Sequence, residues 1–429
     1  MDMKQYRKPD KLRALLQRIY YSPKLKNLRT RYYYARYHNK NMERIRQQKQ
    51  IHILFFIQNI GMWKYESLVK ILLQDERFKV SIMPFPYPWH TKEQQHTFQN
   101  AIIEYCKKHE FPLSIGFDID TQKYIPANKL NADIVVYTQH YNGGYVFWKL
   151  EKFWKHSIFF TTPYGIPIDD NPVFNNTLLQ NVSWKIFYPT AMSEHVYKSN
   201  PITHGKNFMV VGNPIFDSIM KENRSCDNWK IPGHGLKRII WAPHHSISPD
   251  DLLPFSTFLT VCHDMVALAK QYSDRVQFVF KPHPYLYERL VKIWGKQETD
   301  RYYDEWRNMP NSAVALGDYH DLFFTSDAMI HDCASFSLEY LFTKKPVLYL
   351  SKSGHERYLS GYSLECYNMH YKGEGIRDVE KFITDVVVDG NDSMQARRNE
   401  FYDRELLPPN NRTVAENMYE AIKHDLLAD

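Results

Sequence analysis

"NFMVVGNPIFDSIMKENRSCDNWKIPGHGLKRIIWAPHHS" runs from Asn207 to Ser246. It opens as a short apolar strand, breaks at Gly212-Asn213-Pro214, and continues with helical spacing at Ile215, Phe216 and Ile219. A polar stretch punctuated by Gly and Pro follows, which reads as a linker over 221–236. A new apolar run then starts near Ile239 and ends in a polar loop with two adjacent histidines. A strand–helix pattern that stops, crosses a linker and restarts divides the chain into two halves.

The same alternation extends outward on both sides. Before the linker, "QIHILFFIQN" (50–59) is a nearly continuous apolar run, as expected of a parallel strand buried on both faces. "KVSIMPFPYP", "ADIVVYTQHYNGG", "HSIFFTTPYGIP" and "SWKIFYPTAMSEHVYKSN" follow as strands ending in polar or Gly- and Pro-rich loops, with Ser193 a candidate cap in the last. Helical patterns separate the first of them, at 61–78 and 91–109. After the linker, "RIIWAPHHS", "VQFVFKPHPYL" and "SDAMIHDCASFSLEYLFTKKPVLYL" repeat the theme, the last closing on a strand that opens at Pro346. Alternating strands and helices predict α/β domains with parallel, doubly wound sheets. The expected architecture is therefore two Rossmann-like halves with a cleft between them, the arrangement called GT-B. We divide the chain into a basic helical segment (1–50), an acceptor domain (51–220), a nucleotide-donor domain (221–390) and C-terminal helices (391–429).

Charge is distributed unevenly. Residues 1–50 carry 15 Lys and Arg against three acids, a net of +12, while the remainder carries 40 basic and 45 acidic residues, a net of −5. Leu12, Leu15, Leu16, Ile19 and Tyr20 share one helical face, with Lys and Arg on the other. A basic amphipathic stretch rich in Tyr is suited to lie on an anionic leaflet. A helix packed on the protein and a nucleic-acid arm are the alternatives, and the acidic body argues against a broad nucleic-acid footprint. Five cysteines without a CxxC pair fit a reducing compartment. No apolar run reaches the length of a membrane span, so the expected location is cytoplasmic, on the inner face of the membrane.

Candidate chemistry lies just beyond the strands, where open α/β sheets bind ligands. Three loops of the second half carry polar groups: His244 and His245, then Lys281 and His283, then Asp332, Ser335 and Glu339. In "FKPHP", Lys281 and His283 fall on one side of an extended segment stiffened by Pro282 and Pro284. A cation beside an imidazole can neutralise a diphosphate. In "HDCASFSLEYL", Asp332 is placed to cap a helix, and the small residues up to Ser335 would let phosphate reach the helix start. Glu339, one turn on, is placed to accept both hydroxyls of a ribose. Of His244 and His245, adjacent in an extended loop, only one is expected to face the cleft. In the first half, His140, Tyr164 and Gly165 follow apolar strands, and Asn59 and Trp63 are candidates for the acceptor side. The sequence holds no GxGxxG, no P-loop and no GxSxG, and its single DxD (Asp118–Asp120) does not close a clear strand.

At these residues the second half resembles the CDP-glycerol glycerophosphotransferase family, the teichoic-acid polymerases and primases and their relatives in capsule loci. The family's Lys-x-His-Pro loop is similar to "KPHP", its Asp-Tyr-Ser-Ser segment with a following acid to "DCAS" and Glu339, and its Lys-x-Pro strand to "KKPVLYL". Its Gly-x-Pro-x-x-Asp segment corresponds to Gly212, Pro214 and Asp217. The resemblance implies that Lys281 and His283 bind or activate the donor diphosphate, that Asp332 and Ser335 hold phosphate, and that Glu339 holds the ribose. Two departures stand out: Cys333-Ala334 replaces Tyr-Ser, and Tyr164 stands where the family has its basic His, leaving His140 as the substitute base.

The expected function is transfer of glycerol phosphate, or a similar polyol phosphate, from a CDP-activated donor to a hydroxyl of a lipid-linked or growing surface glycan, with release of CMP. No metal or cofactor is required, because Lys281, His283 and helix N-termini can screen the diphosphate. The expected partners are the donor, the glycan acceptor, an anionic membrane surface and a second copy of the chain, without nucleic acid. The alternative is a GT-B glycosyltransferase taking a nucleotide sugar for capsule or lipopolysaccharide synthesis. A non-catalytic scaffold at a glycan-assembly site is the third reading.

Overall fold

The computed structural model describes residues 22–138, 148–163, 177–198, 202–219, 224–233, 235–248, 251, 255–317, 319–333, 336–352, 354–359 and 361–427. His140, Tyr164, Gly165 and Ser335 lie outside the described residues, as does the amphipathic face from Leu12 to Tyr20.

The chain divides into two compact units. In the first, β1 (Ile51–Ile57), β2 (Phe78–Pro84), β3 (Ile134–Tyr137), β4 (Ile158–Thr161), β5 (Lys185–Tyr188) and β6 (Phe208–Val210) form a six-stranded sheet in the order β2-β1-β3-β4-β5-β6. Every pairing is parallel. The continuous apolar run of β1 has its cause here: Ile53, Leu54, Phe55, Phe56 and Ile57 are all buried, because helices and loops cover both faces. Helix Lys92–Lys108 begins with a reciprocal capping box between Thr91 and Gln94. The short turn Ala191–Ser193 after β5 is capped by Thr190, whose hydroxyl accepts the Met192 N–H at 3.2 Å; the Ser193 side chain lies outside the described residues.

The described part of the basic segment is helical over Pro23–Tyr33 and Asn39–Arg46, joined by one π turn. One face packs on the first unit. Tyr33 is fully buried and donates to the Ser157 carbonyl at 3.2 Å, and Asn41 donates to the carbonyls of Trp154 (2.9 Å) and Ser157 (3.0 Å). Lys24, Arg31, Arg36, Lys40, Arg46 and Lys49 line the exposed side. Among the described residues, no helix is long and apolar enough to cross a membrane.

The second unit holds β7 (Lys237–Ala242), β8 (Val276–Phe280), β9 (Ser312–Val314), β10 (Ala328–His331), β11 (Val347–Leu350) and β12 (Tyr371–Gly373). Their order is β12-β11-β10-β7-β8-β9, again all parallel. The first strand of this unit is central, the next two run outward on one side and the last three on the other. This is the doubly wound order in which the chain switches direction between β7 and β10. β11 opens at Val347, one residue after the expected Pro346, and the edge strands β9 and β12 are additions to the expected set.

From Pro408 the chain belongs to the first unit again. The Gly-x-Pro-x-x-Asp segment is where it is received. Gly212 has φ +95°, and a Cβ there would stand 2.9 Å from Pro408 Cβ and 3.0 Å from Pro408 Cα, so only glycine fits. The Asp217 carboxylate accepts the Val414 and Ala415 N–H groups, both at 2.8 Å, at the start of helix Val414–Leu426. Thr413 and Glu416 close a capping box on the same turn, so its first three N–H groups are all satisfied. Further along, Tyr419 donates to Asp75 (2.8 Å) and Asp425 accepts from Trp184 (2.7 Å).

Candidate functional site

The switch point between β7 and β10 is bridged by one carboxylate. Asp332, directly after β10, is 2% exposed. Its Oδ1 accepts the His244 N–H at 2.5 Å, in the loop after β7. Its Oδ2 accepts the Thr257 N–H (2.6 Å), the Thr257 hydroxyl (3.1 Å) and the Ser256 hydroxyl (3.1 Å), just before helix Phe258–Gln271. Asp332 fastens the β7 loop and the next helix start to the end of β10. Burial outweighs these hydrogen bonds and lifts its carboxyl to about 6.

That fastening sets the histidines. Both His244 and His245 converge on His283, with ring centroids 5.1 and 4.2 Å from it and 4.3 Å from each other. This corrects the expectation that only one would face the site. The loop is not extended there: Ile247 N–H donates to the His245 carbonyl at 2.9 Å, and the tight turn ends the alternation of side chains. Proximity and burial keep the cluster neutral. Burial first, then His245, depresses His244 to about 3, and burial, then His245 and His244, depresses His283 to about 3. His245 is lowered by burial and then by Arg289, a cation on helix Leu286–Trp294 that pairs with Asp251 at 2.7 Å.

The ligand nitrogens of the three rings lie within 4.8 Å of one another, a spacing that would suit a transition-metal ion. Nδ1 of His283 lies 3.2 Å from the Tyr285 N–H, and Nδ1 of His244 lies 3.2 Å from the Ser246 N–H and 2.8 Å from the Ser246 hydroxyl. A neutral ring whose Nδ1 accepts carries its proton on Nε2, where it can donate to an anionic oxygen.

Lys281 leads into the same loop and is 4% exposed. Its ammonium lies 5.5 Å from the centroid of the Tyr319 ring. Glu339, at the end of helix Phe336–Glu339, accepts the Tyr319 hydroxyl at 2.6 Å. Tyr319 and Arg289 are the residues the sequence reading missed. Tyr319 follows a three-residue edge strand, too short to show periodicity, and Arg289 reads as one more charge on an amphipathic helix. In the first unit, the Asn59 side chain accepts the Gly61 N–H (2.8 Å), and Trp63 is a core residue 8% exposed, 5.7 Å from both Phe55 and Tyr65. Asn59 thus caps its own turn, and Trp63 packs in the core. Asp118 of the DxD accepts the N–H groups of Asp120 and Thr121 within its own turn.

Solved structures share this two-sheet fold. The wall teichoic acid polymerase TagF, in a histidine-to-asparagine variant, superimposes with a TM-score of 0.55 at 12% identity, over 97% of each chain. The UDP-GlcNAc 2-epimerase of Neisseria meningitidis bound to UDP-GlcNAc gives 0.53 at 14% identity, over 87% of this chain and 100% of that one. MnaA of S. aureus with UDP gives 0.53 at 14%, over 87% and 96%. At such identities the likeness establishes the fold. No curated protein sequence matches the chain. The family model for CDP-glycerol:poly(glycerophosphate) glycerophosphotransferase matches residues 170–424, more than half of the sequence, including Ser218–Leu407 of the unit that carries the cluster. With that match, the chain belongs to the CDP-glycerol:poly(glycerophosphate) glycerophosphotransferase family and is a transferase of that kind.

Proposed function

We propose that the protein transfers glycerol phosphate from CDP-glycerol to a hydroxyl of a lipid-linked or growing surface glycan. The observation that carries this reading is the convergence of His244, His245 and His283 beside Lys281 at the switch point of the second sheet. In the reaction, an acceptor oxygen attacks the glycerol-bearing phosphorus, the bridging P–O bond of the diphosphate breaks, and CMP leaves with the bonding pair. The acceptor proton passes to a base, for which His140 and Tyr164 are the candidates. Phosphoryl transfer requires positioning and charge neutralisation more than covalent help. Lys281 supplies permanent positive charge, the imidazole N–H groups donate to diphosphate oxygens, and Glu339 accepts from the ribose. Asp332 contributes by holding the β7 loop in place, with Ser335 the proposed phosphate contact. The exposed basic face of residues 22–49 would hold the enzyme at an anionic leaflet.

A nucleotide-sugar reading is supported by fold neighbours solved with UDP and UDP-GlcNAc. The two differ in product, since attack at phosphorus releases CMP and attack at an anomeric carbon of a UDP- or GDP-sugar releases a nucleoside diphosphate. A donor screen scoring thermal shift and released nucleotide tests both. CDP-glycerol or CDP-ribitol should bind and yield CMP. Turnover of a UDP-sugar with neither CDP-polyol bound would sink the proposal.

A further inference from the structure

We infer that Tyr319 is a positioning residue that sets donor recognition at two points, the diphosphate and the ribose. The inference rests on the donor reading above. Tyr319 stands in the loop after β9, before helix His320–Thr325. Its ring packs at a tilt against two aromatic neighbours, with centroids 4.9 Å from Phe323 and 5.1 Å from Phe336. Those neighbours belong to different elements, so the ring is clamped between the β9 and β10 connections.

From that clamp it reaches two charges. Its face lies under the Lys281 ammonium at 5.5 Å, an attraction that strengthens where water is excluded, and Lys281 is 4% exposed. Its hydroxyl donates to Glu339 Oε2 at 2.6 Å, a charge-assisted bond that orients the carboxylate. The cation assigned to the diphosphate and the acid assigned to the ribose are thereby fixed against one side chain. Substitutions at Tyr319 separate the two links. Phe keeps the ring beneath Lys281 and removes the bond to Glu339, while Leu removes both.

The test uses full-length protein and three probes: CMP, 2′-deoxy-CMP and inorganic pyrophosphate, with affinities measured by calorimetry and folding checked by melting temperature. Wild type should prefer CMP over 2′-deoxy-CMP. Y319F should lower that preference about tenfold, the loss of one charge-assisted hydrogen bond, and leave pyrophosphate affinity unchanged. Y319L should lower the preference equally and also weaken pyrophosphate about fivefold. A Y319F protein with wild-type preference overturns the ribose link. Pyrophosphate binding unchanged in a folded Y319L protein overturns the diphosphate link. If wild type binds none of the three while a UDP-sugar binds, the donor reading fails and this inference fails with it. If wild type binds CMP and both variants match it, only the role of Tyr319 is refuted.

Discussion

Replacing Asp217 should loosen the C-terminal helix from the first unit by an amount the structure lets one work out. The carboxylate accepts the Val414 and Ala415 N–H groups at 2.8 Å each, while Thr413 takes the third N–H of that turn. In D217A two helix N–H groups lose their acceptor, at about 1–3 kcal/mol each where water does not replace it. A carboxylate at a helix N-terminus adds about 0.3–1 kcal/mol through the helix dipole. Against this, burial raises the Asp217 pKa, so part of the gain is offset by the desolvation of its charge. The net expectation is about 3 kcal/mol for D217A and about 1.5 kcal/mol for D217N, which retains one acceptor. Hydrogen exchange followed by mass spectrometry reads the local opening directly and needs no assumption that the whole chain unfolds in one step. Amides of 414–426 should exchange roughly 100-fold faster in D217A, and roughly tenfold faster in D217N. Exchange within twofold of wild type in D217A would show that Asp217 does not hold the helix.

G212A should destabilise the first unit by about 2–4 kcal/mol in a denaturant titration, combining a left-handed backbone at φ +95° with contact against Pro408. Stability of the second unit should fall as the solution is acidified below the ordinary histidine pKa of 6.5. His370, 2% exposed and held near 3 by burial, stays neutral in the fold but charges in the unfolded chain, costing about 2 kcal/mol at pH 5. His331, also lowered by burial, acts in the same direction. Asp332 acts in the other direction: its folded carboxyl, near 6, binds a proton before the unfolded one does, giving back about 1.4 kcal/mol at pH 5. Denaturant midpoints should therefore drop between pH 6.5 and 5 in wild type, and a flat profile would contradict the buried neutral histidines.

The sheets were readable because their strands are buried on both faces, which leaves largely apolar runs such as Ile51–Ile57 and Val276–Phe280, interrupted only by His52 and Gln277. The edge strands Ser312–Val314 and Tyr371–Gly373 are three residues long and leave no such trace. Residue types at the candidate-site loops were also readable, since position after a strand suffices to nominate Lys281 and His283. Their geometry was not. The role of Asp332 depends on Ser256 and Thr257, 75 residues or so earlier in the chain, and the meeting of His244 with His245 depends on a turn at Ile247. Likewise, "VVGNPIFDSI" suggested a join between halves, but that Gly212 and Asp217 receive the returning chain at Pro408 and Val414 required the fold.

The central claim is that the three-histidine cluster with Lys281 serves a CDP-activated polyol. Its most direct test is phosphorus NMR of the full-length protein with CDP-glycerol and a glycan acceptor, comparing wild type with H283A and K281A. The account predicts that wild type converts the diphosphate resonances into CMP and a new phosphodiester, and that each substitution slows this at least 100-fold, a loss of the order seen when a group stabilising developing charge is removed. Turnover by H283A and K281A at the wild-type rate, or release of a nucleoside diphosphate instead of CMP, would contradict it.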